Sequence, residues 1–272
     1  MSHPVVAIVT GANRGIGKAI VESLIKTSQG NLILYATSRK GFDMGFNTVS
    51  DTQIRYPALD IADLGSIRNL AKAIYQDHEA IDVLINNAGV NLDNDYTPEN
   101  VKATLDTNVR GTLHMCQAFI PLMRKGGRIV NISSTGSSLD QYSGAIQQRF
   151  RSPEMSLEDL ELIMQEYQNC ADNGSESANG WPRKSYSVSK ACINALTAIL
   201  AKANPSLAIN ACCPGWVDTD MGKMVGSRPA KAPVDGAKIP IRLAFGDIDG
   251  VTGRYWGNPS IADKGCGQVM EW

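Results

Sequence analysis

No stretch of this 272-residue chain approaches the roughly 18 consecutive apolar residues that a bilayer-spanning helix needs, so no contact with a membrane is expected. An excess of one charge sign is missing too. Twenty-six Lys and Arg stand against 27 Asp and Glu, for a formal net charge of −1, which provides no electrostatic footprint for nucleic acid or an anionic surface. The three histidines, His3, His78 and His114, are too scattered to gather round a metal, and no metal site is expected. Six cysteines show neither a C-x-x-C pair nor disulfide-like spacing, which points to a reduced, cytoplasmic compartment. The opening "MSHPVVAIVTG" lacks a basic region before its short apolar run and does not read as a signal peptide.

What is present suffices for an ordinary core: 43% of the residues are hydrophobic. Short β-rich runs alternate with helical patterns. Strands are predicted at 5–10, 31–37, 53–61, 81–89, 126–134, 207–215 and 250–257, with helices at 17–26 and from Ser66 to about His78. Apolar strands separated by helix-length connections imply an α/β fold, a doubly wound Rossmann-type parallel sheet of about seven strands flanked by helices. The polar loop at 170–180 interrupts this rhythm without ending it, so residues 1–272 are expected to form one domain with an insertion.

The stretch "TGANRGIG" (10–17) joins the first strand to the first helix. Gly11, Gly15 and Gly17 there are spaced to allow a tight turn, close approach of backbone to a pyrophosphate, and a helix N-terminus aimed at the anion. The second strand ends in "ATSRK". A site for NAD wants a carboxylate at that point, whereas this chain offers Ser38, Arg39 and Lys40, so NADP(H) is the expected cofactor, with Arg39 on the 2′-phosphate and Arg14 as a second cation. A plain solvated Arg39 is the alternative.

With "TGANRGIG", "NNAG" (86–89), Asn108 in "LDTNVRGT", "VNISS" (130–134), "YSVSK" (186–190) and "CCPGWVDTDM" (212–221), the whole chain resembles the short-chain dehydrogenase/reductase family. The long stretch between the serine and tyrosine motifs, followed by "GWP" and "NACCPGW", is most similar to its carbonyl reductase branch. The resemblance implies Asn108, Ser134, Tyr186 and Lys190 as the catalytic set. NADPH would give a hydride to a carbonyl carbon, Tyr186 would protonate the oxygen and Ser134 would polarise it. Lys190 would hold the nicotinamide ribose with Tyr186, and Asn108 would position a water leading to solvent. It implies further cofactor contacts from Asn13 and Ile16 in the glycine loop, Asp60 and Ile61 near the adenine, and Asn87, Ala88 and Gly89 over the sheet. Pro214, Gly215, Val217 and Thr219 would close round the nicotinamide.

Tyr186 and Lys190 lie one helical turn apart on one face. A Lys ammonium about 5 Å away at an effective dielectric of about 20 is worth roughly 3 kcal/mol, so the phenol is expected about two pKa units below its usual value near 10. Trp216 is a candidate substrate contact for an apolar or aromatic ketone, with core packing as its alternative. Cys212 and Cys213 read as small buried residues.

Between Ser134 and Tyr186 lie far more residues than in most members of that family, and the helical insertion is placed at about 139–182. Its centre, "SPEMSLEDLELIMQEYQNC" (152–170), has a helix-start signal in Ser156 and Asp159 and an apolar stripe of Leu160, Ile163, Met164 and Tyr167. Laid against the Tyr186 helix, the stripe would cover the surface through which family members pair, and the expected state is a monomer. Docking of a partner protein is the competing use of the same stripe. Two other functions stay open: an NADP(H)-binding redox sensor without turnover, and a reductase dedicated to a specialised-metabolite ketone.

Overall fold

The computed structural model describes residues 3–27, 31–48, 52–226 and 230–272. Eight strands make one sheet: β1 (Val5–Val9), β2 (Leu32–Ala36), β3 (Gln53–Arg55), β4 (Ile81–Asn86), β5 (Met123–Ile132), β6 (Ala208–Cys212), β7 (Tyr255–Gly257) and β8 (Gln268–Met270). Their order is β3-β2-β1-β4-β5-β6-β7-β8, parallel except for β8, which runs antiparallel along β7. The doubly wound Rossmann-type arrangement therefore holds, with one strand more than the periodicity indicated. β8 is a three-residue edge strand, half exposed, and carries no alternating pattern to announce it. β3 is shorter than expected because the chain leaves the ladder at Tyr56 and touches it again only at Ala58, opposite Ser38.

Alternation along β1 explains the layers. Val6 and Ile8 face the helices of one side, Ala7 and Val9 those of the other. The second side is covered by α1 (Gly15–Thr27), which presents Ile20, Val21 and Leu24. The first side carries α2 (Leu64–His78), α3 (Pro98–Leu105) and α4 (Gly111–Phe119). α3 and α4 are one helical run joined by a five-residue π turn, Asp106–Arg110, and π turns recur at functional sites.

Between β5 and the Tyr186 helix the chain forms α5 (Gly144–Phe150) and α6 (Leu157–Asp172). Ser156 and Asp159 form the full reciprocal capping box expected from the sequence. Leu160, Ile163, Met164 and Tyr167 are all buried, against α3 and α7 (Ser185–Ala203). Glu161 on the same helix pairs with Arg110 of the π turn. The aromatic rings of Tyr167, Trp181, Tyr142 and Phe150 follow one another at 5.4–5.9 Å between centroids, tying the segment from Tyr142 to Trp181 together. Every residue from Ser187 to Thr197 of α7 is buried, so this part of the helix is enclosed on all sides. The last helices are α8 (Asp220–Lys223), α9 (Pro233–Gly236) and α10 (Lys238–Phe245), the last packing on the α1 side.

Because the stripe meets the chain's own core, Ile163→Ala is expected to cost about 3 kcal/mol of stability. Leu162→Ala, one position away at 52% exposure, should cost less than about 0.5 kcal/mol. Urea unfolding of the two variants checks this.

Candidate active site

Winding reverses between β1 and β4, which opens a crevice at the strand C-termini where ligands of such sheets bind. Thr10 closes the end of β1. Its hydroxyl accepts the N–H groups of Asn87, at 3.0 Å, and Ala88, at 2.9 Å. The Asn87 amide returns the tie, donating to the carbonyls of Thr10 at 2.8 Å and Gly11 at 3.2 Å. Asn87 thus acts on the loop that would hold the cofactor, a role the sequence did not reveal.

Gly11 and Gly15 have φ of 66° and 55°, in the left-handed region that favours glycine. Gly17 is required by proximity: a Cβ there would stand 2.3 Å from the Gly11 carbonyl oxygen. No acidic residue occupies the first turn of α1, so its N-terminal dipole meets no competing carboxylate. Asn13 is exposed in the loop and Ile16 packs on the core beneath it. At the end of β2, Arg39 and Lys40 are exposed while Ser38 is buried, its hydroxyl accepting the Gly41 N–H at 3.2 Å. Arg14 is not free: its guanidinium pairs with Asp220 at 2.9 Å across the crevice mouth. Both partners are exposed, so the pair is weak.

Asp60 uses one carboxylate oxygen to accept the Ala62 N–H at 3.0 Å, shaping the turn that presents Ile61. Ile61 is buried against Gly111 of α4. On the opposite wall, the segment after β6 folds over the crevice. Gly215 has φ of 85°, and a Cβ there would meet the buried Lys231 Nζ at 2.8 Å. Pro214 and Val217 are buried. The Thr219 methyl approaches within 3.1 Å of the place a Gly15 Cβ would occupy, so this wall touches the glycine loop. Thr219 also caps α8 through its hydroxyl, which accepts the Gly222 N–H at 3.0 Å. Trp216 is half-buried, and its indole N–H donates to the Gly222 carbonyl at 2.9 Å. The ring's polar handle is therefore spent on holding α8.

Ser134 follows β5 and Tyr186 stands in the first turn of α7, with the Ser134 side chain among the groups that act on the phenol. The Ser134 hydroxyl oxygen accepts the Gly136 N–H at 3.0 Å. Lys190 is buried, donates from Nζ to the Ile132 carbonyl at 2.7 Å, and lies 5.4 Å from the centroid of the Tyr186 ring. Asn108 sits in the π turn. Its Oδ1 accepts the Val90 N–H at 2.8 Å, and its amide donates to the Val90 carbonyl at 2.8 Å and to the Ser189 hydroxyl at 2.9 Å. It clamps the loop after β4 to the helix of Tyr186 and Lys190. A Cβ on Gly89 would stand 3.0 Å from the Asn108 Oδ1 and 3.8 Å from the Lys190 Nζ. Cys212 and Cys213 are both buried, and the Cys213 sulfur accepts the N–H groups of Thr135 and Gly215.

One expectation is reversed. Burial pushes the Tyr186 phenol above its usual value instead of the ammonium pulling it below. The same burial lowers Lys190 from 10.5 to about 8. The one-turn spacing is as foreseen, but Lys190 lies over the face of the ring and is tied to Ile132, in surroundings that desolvate both groups. Below pH 8 the fold must bury the Lys190 charge. As pH rises from 8 toward 10 the folded lysine is neutral while the unfolded one still binds a proton, so stability rises. Against Lys190→Met, whose other buried phenols and thiols are the same, the wild type should gain about 2 kcal/mol between pH 7.5 and 10. Urea unfolding across that range measures it, and parallel curves would contradict it.

A profile described as short chain dehydrogenase matches residues 5–146. The chain is 37% identical to carbonyl reductase (NADPH) 1 of Sus scrofa over 290 positions, covering 100% of this chain and 95% of that one. To the human protein of the same name it is 36% identical over 285 positions, with 98% of each covered. Among solved structures, menthone neomenthol reductase from Mentha piperita superposes with a TM-score of 0.75 at 28% identity, over 94% of this chain and 99% of that one. An NADPH-bound carbonyl reductase from chicken fatty liver gives 0.69 at 24% identity, over 100% and 96%, a likeness of fold. With its sheet, its glycine loop and matches along its whole length, the chain belongs to the short-chain dehydrogenase/reductase family.

Proposed function

We propose that this protein is an NADPH-dependent carbonyl reductase acting on a ketone, aldehyde or quinone. The observation that carries it is the convergence of Ser134, Tyr186 and Lys190 beside a glycine-lined crevice, in a chain whose full-length relatives bear that name. The residues present fit the cofactor. The glycine loop and the α1 N-terminus suit the pyrophosphate, and Ser38 and Arg39 the 2′-phosphate, which Arg14 would reach by leaving its exposed pair with Asp220. Asp60 and Ile61 would flank the adenine. Gly89, Pro214, Gly215, Val217 and Thr219 would line the nicotinamide end, with Lys190 on its ribose.

When bound, NADPH supplies the hydride. The Ser134 hydroxyl donates to the substrate oxygen and polarises the carbonyl. Tyr186 then gives its phenolic proton to that oxygen. Its raised pKa keeps it protonated at neutral pH, the state that reduction requires, and an alkoxide is basic enough to take the proton. Lys190 sits over the Tyr186 ring with its pKa lowered to about 8, ready to return a proton to the site. Asn108 keeps the loop after β4 at a set distance from Lys190, beside the place of the proposed water. The likeness to menthone neomenthol reductase favours a cyclic ketone as the second reading. A redox sensor would have no need of the complete set Asn108, Ser134, Tyr186 and Lys190.

The proposal treats residues 1–272 as one domain with its insertion at about 139–182. It places the enzyme in the cytoplasm, in keeping with six free thiols. Since α7 is enclosed by its own chain, the protein acts as a monomer. Light scattering should return the mass of one chain, and a stable dimer would contradict it.

NADPH oxidation with menadione, isatin and a set of aryl ketones, run beside NADH, tests the activity. Tyr186→Phe is expected to lower kcat by about 10² to 10⁴-fold with NADPH affinity kept. Near-normal turnover in that variant would overturn the assignment, and tight NADPH binding with no turnover by the wild type would favour the sensor.

A further inference from the structure

Helix α7 starts without a cap of its own. Lys184 occupies the N-cap position, makes no capping bond, and turns its ammonium to Gln141 at 2.9 Å. The missing acceptor comes from 92 residues upstream. One oxygen of Asp93, Oδ1, accepts the Ser185 N–H at 3.0 Å and also the Ser185 hydroxyl. The other, Oδ2, accepts the Tyr186 N–H at 3.1 Å. A carboxylate at that point satisfies two orphan donors with charge-assisted bonds and meets the positive end of the helix dipole.

Asp93 is itself held. Its N–H donates to the Asn91 side chain at 3.1 Å, and three residues on Tyr96 donates to the buried Glu176 of the insertion at 2.8 Å. The Arg183 guanidinium lies 4.9 Å from the centroid of the Tyr96 ring. The loop after β4 is thus fastened to the insertion and to the start of α7 together.

We propose that Asp93 is a positioning residue for carbonyl reduction: its carboxylate caps α7 and sets Tyr186 against Ser134. The inference rests on Tyr186 being the proton donor. Tyr186 is the second residue of α7, where an uncapped helix frays first. Lys190, one turn further in, is secured separately by Ile132. Loss of the cap therefore moves the proton donor and leaves the lysine in place. Asp93 also adds a negative charge to the surroundings of the phenol, which Ser134, Cys213 and the Lys190 ammonium complete.

The test compares Asp93→Ala, Asp93→Asn and Tyr186→Phe, with a ketone that the wild type reduces. Asp93→Ala should lower kcat by about 10- to 100-fold, with KM for NADPH within about twofold. Asp93→Asn keeps an acceptor oxygen and should recover part of that loss. In alcohol oxidation its pH profile should move to lower pH, because the charge opposing phenolate formation is gone. A general folding defect moves no such profile. The proposal is overturned if Asp93→Ala keeps kcat within about twofold while Tyr186→Phe is inactive, or if Asn and Ala lose equally with an unmoved profile. Should Asp93→Ala fail to fold, Asp93→Asn decides alone: lowered kcat with a moved profile supports the proposal, and wild-type values refute it. An active Tyr186→Phe would instead overturn the catalytic assignment beneath it.

Discussion

The site depends on the enclosure of one helix. α7 is buried from Ser187 to Thr197 between the sheet, α3 and the inserted α6, and it carries both Tyr186 and Lys190. Its polar side chains are consequently committed to other elements. Ser189 takes a bond from Asn108, Asn194 donates to Ser137, and Thr197 takes one from Asn131, which in turn accepts from Asn86 of β4. This buried polar chain ties the helix to β4 and β5, while the Asn86 and Asn194 side-chain oxygens within it accept no bond.

The same burial sets the protonation of the site. Desolvation acts in opposite senses on the two groups, raising the phenol and lowering the ammonium. The phenol stays an acid and the ammonium becomes an easier proton donor. Both shifts suit the proposed reduction, in which Tyr186 would deliver a proton to oxygen. α6 adds its apolar stripe to the packing around α7, so an element outside the sheet helps to hold the helix that carries both groups.

Local features were legible because their causes are local. The glycines of 10–17 announce themselves by spacing, and their φ angles and close contacts bear the spacing out. The capping box at Ser156 and the stripe through Tyr167 are one-dimensional patterns that any buried amphipathic helix must display. Arg14 was readable as a cation near the glycine loop but not as the partner of Asp220. Trp216 was readable as aromatic near the crevice, yet only the fold shows its N–H spent on Gly222.

Sequence alone therefore determined the doubly wound class of the sheet, the turn at the glycines of 10–17, the one-turn spacing of Tyr186 and Lys190, and the apolar stripe of α6. These follow from periodicity and short spacing, which act over a few residues. The tertiary structure decided how far Tyr186 and Lys190 are desolvated, what Asn108 holds, and that the carboxylate of Asp93 would begin a helix so far along the chain. Those are matters of dielectric surroundings and long-range contact, and no local pattern encodes either.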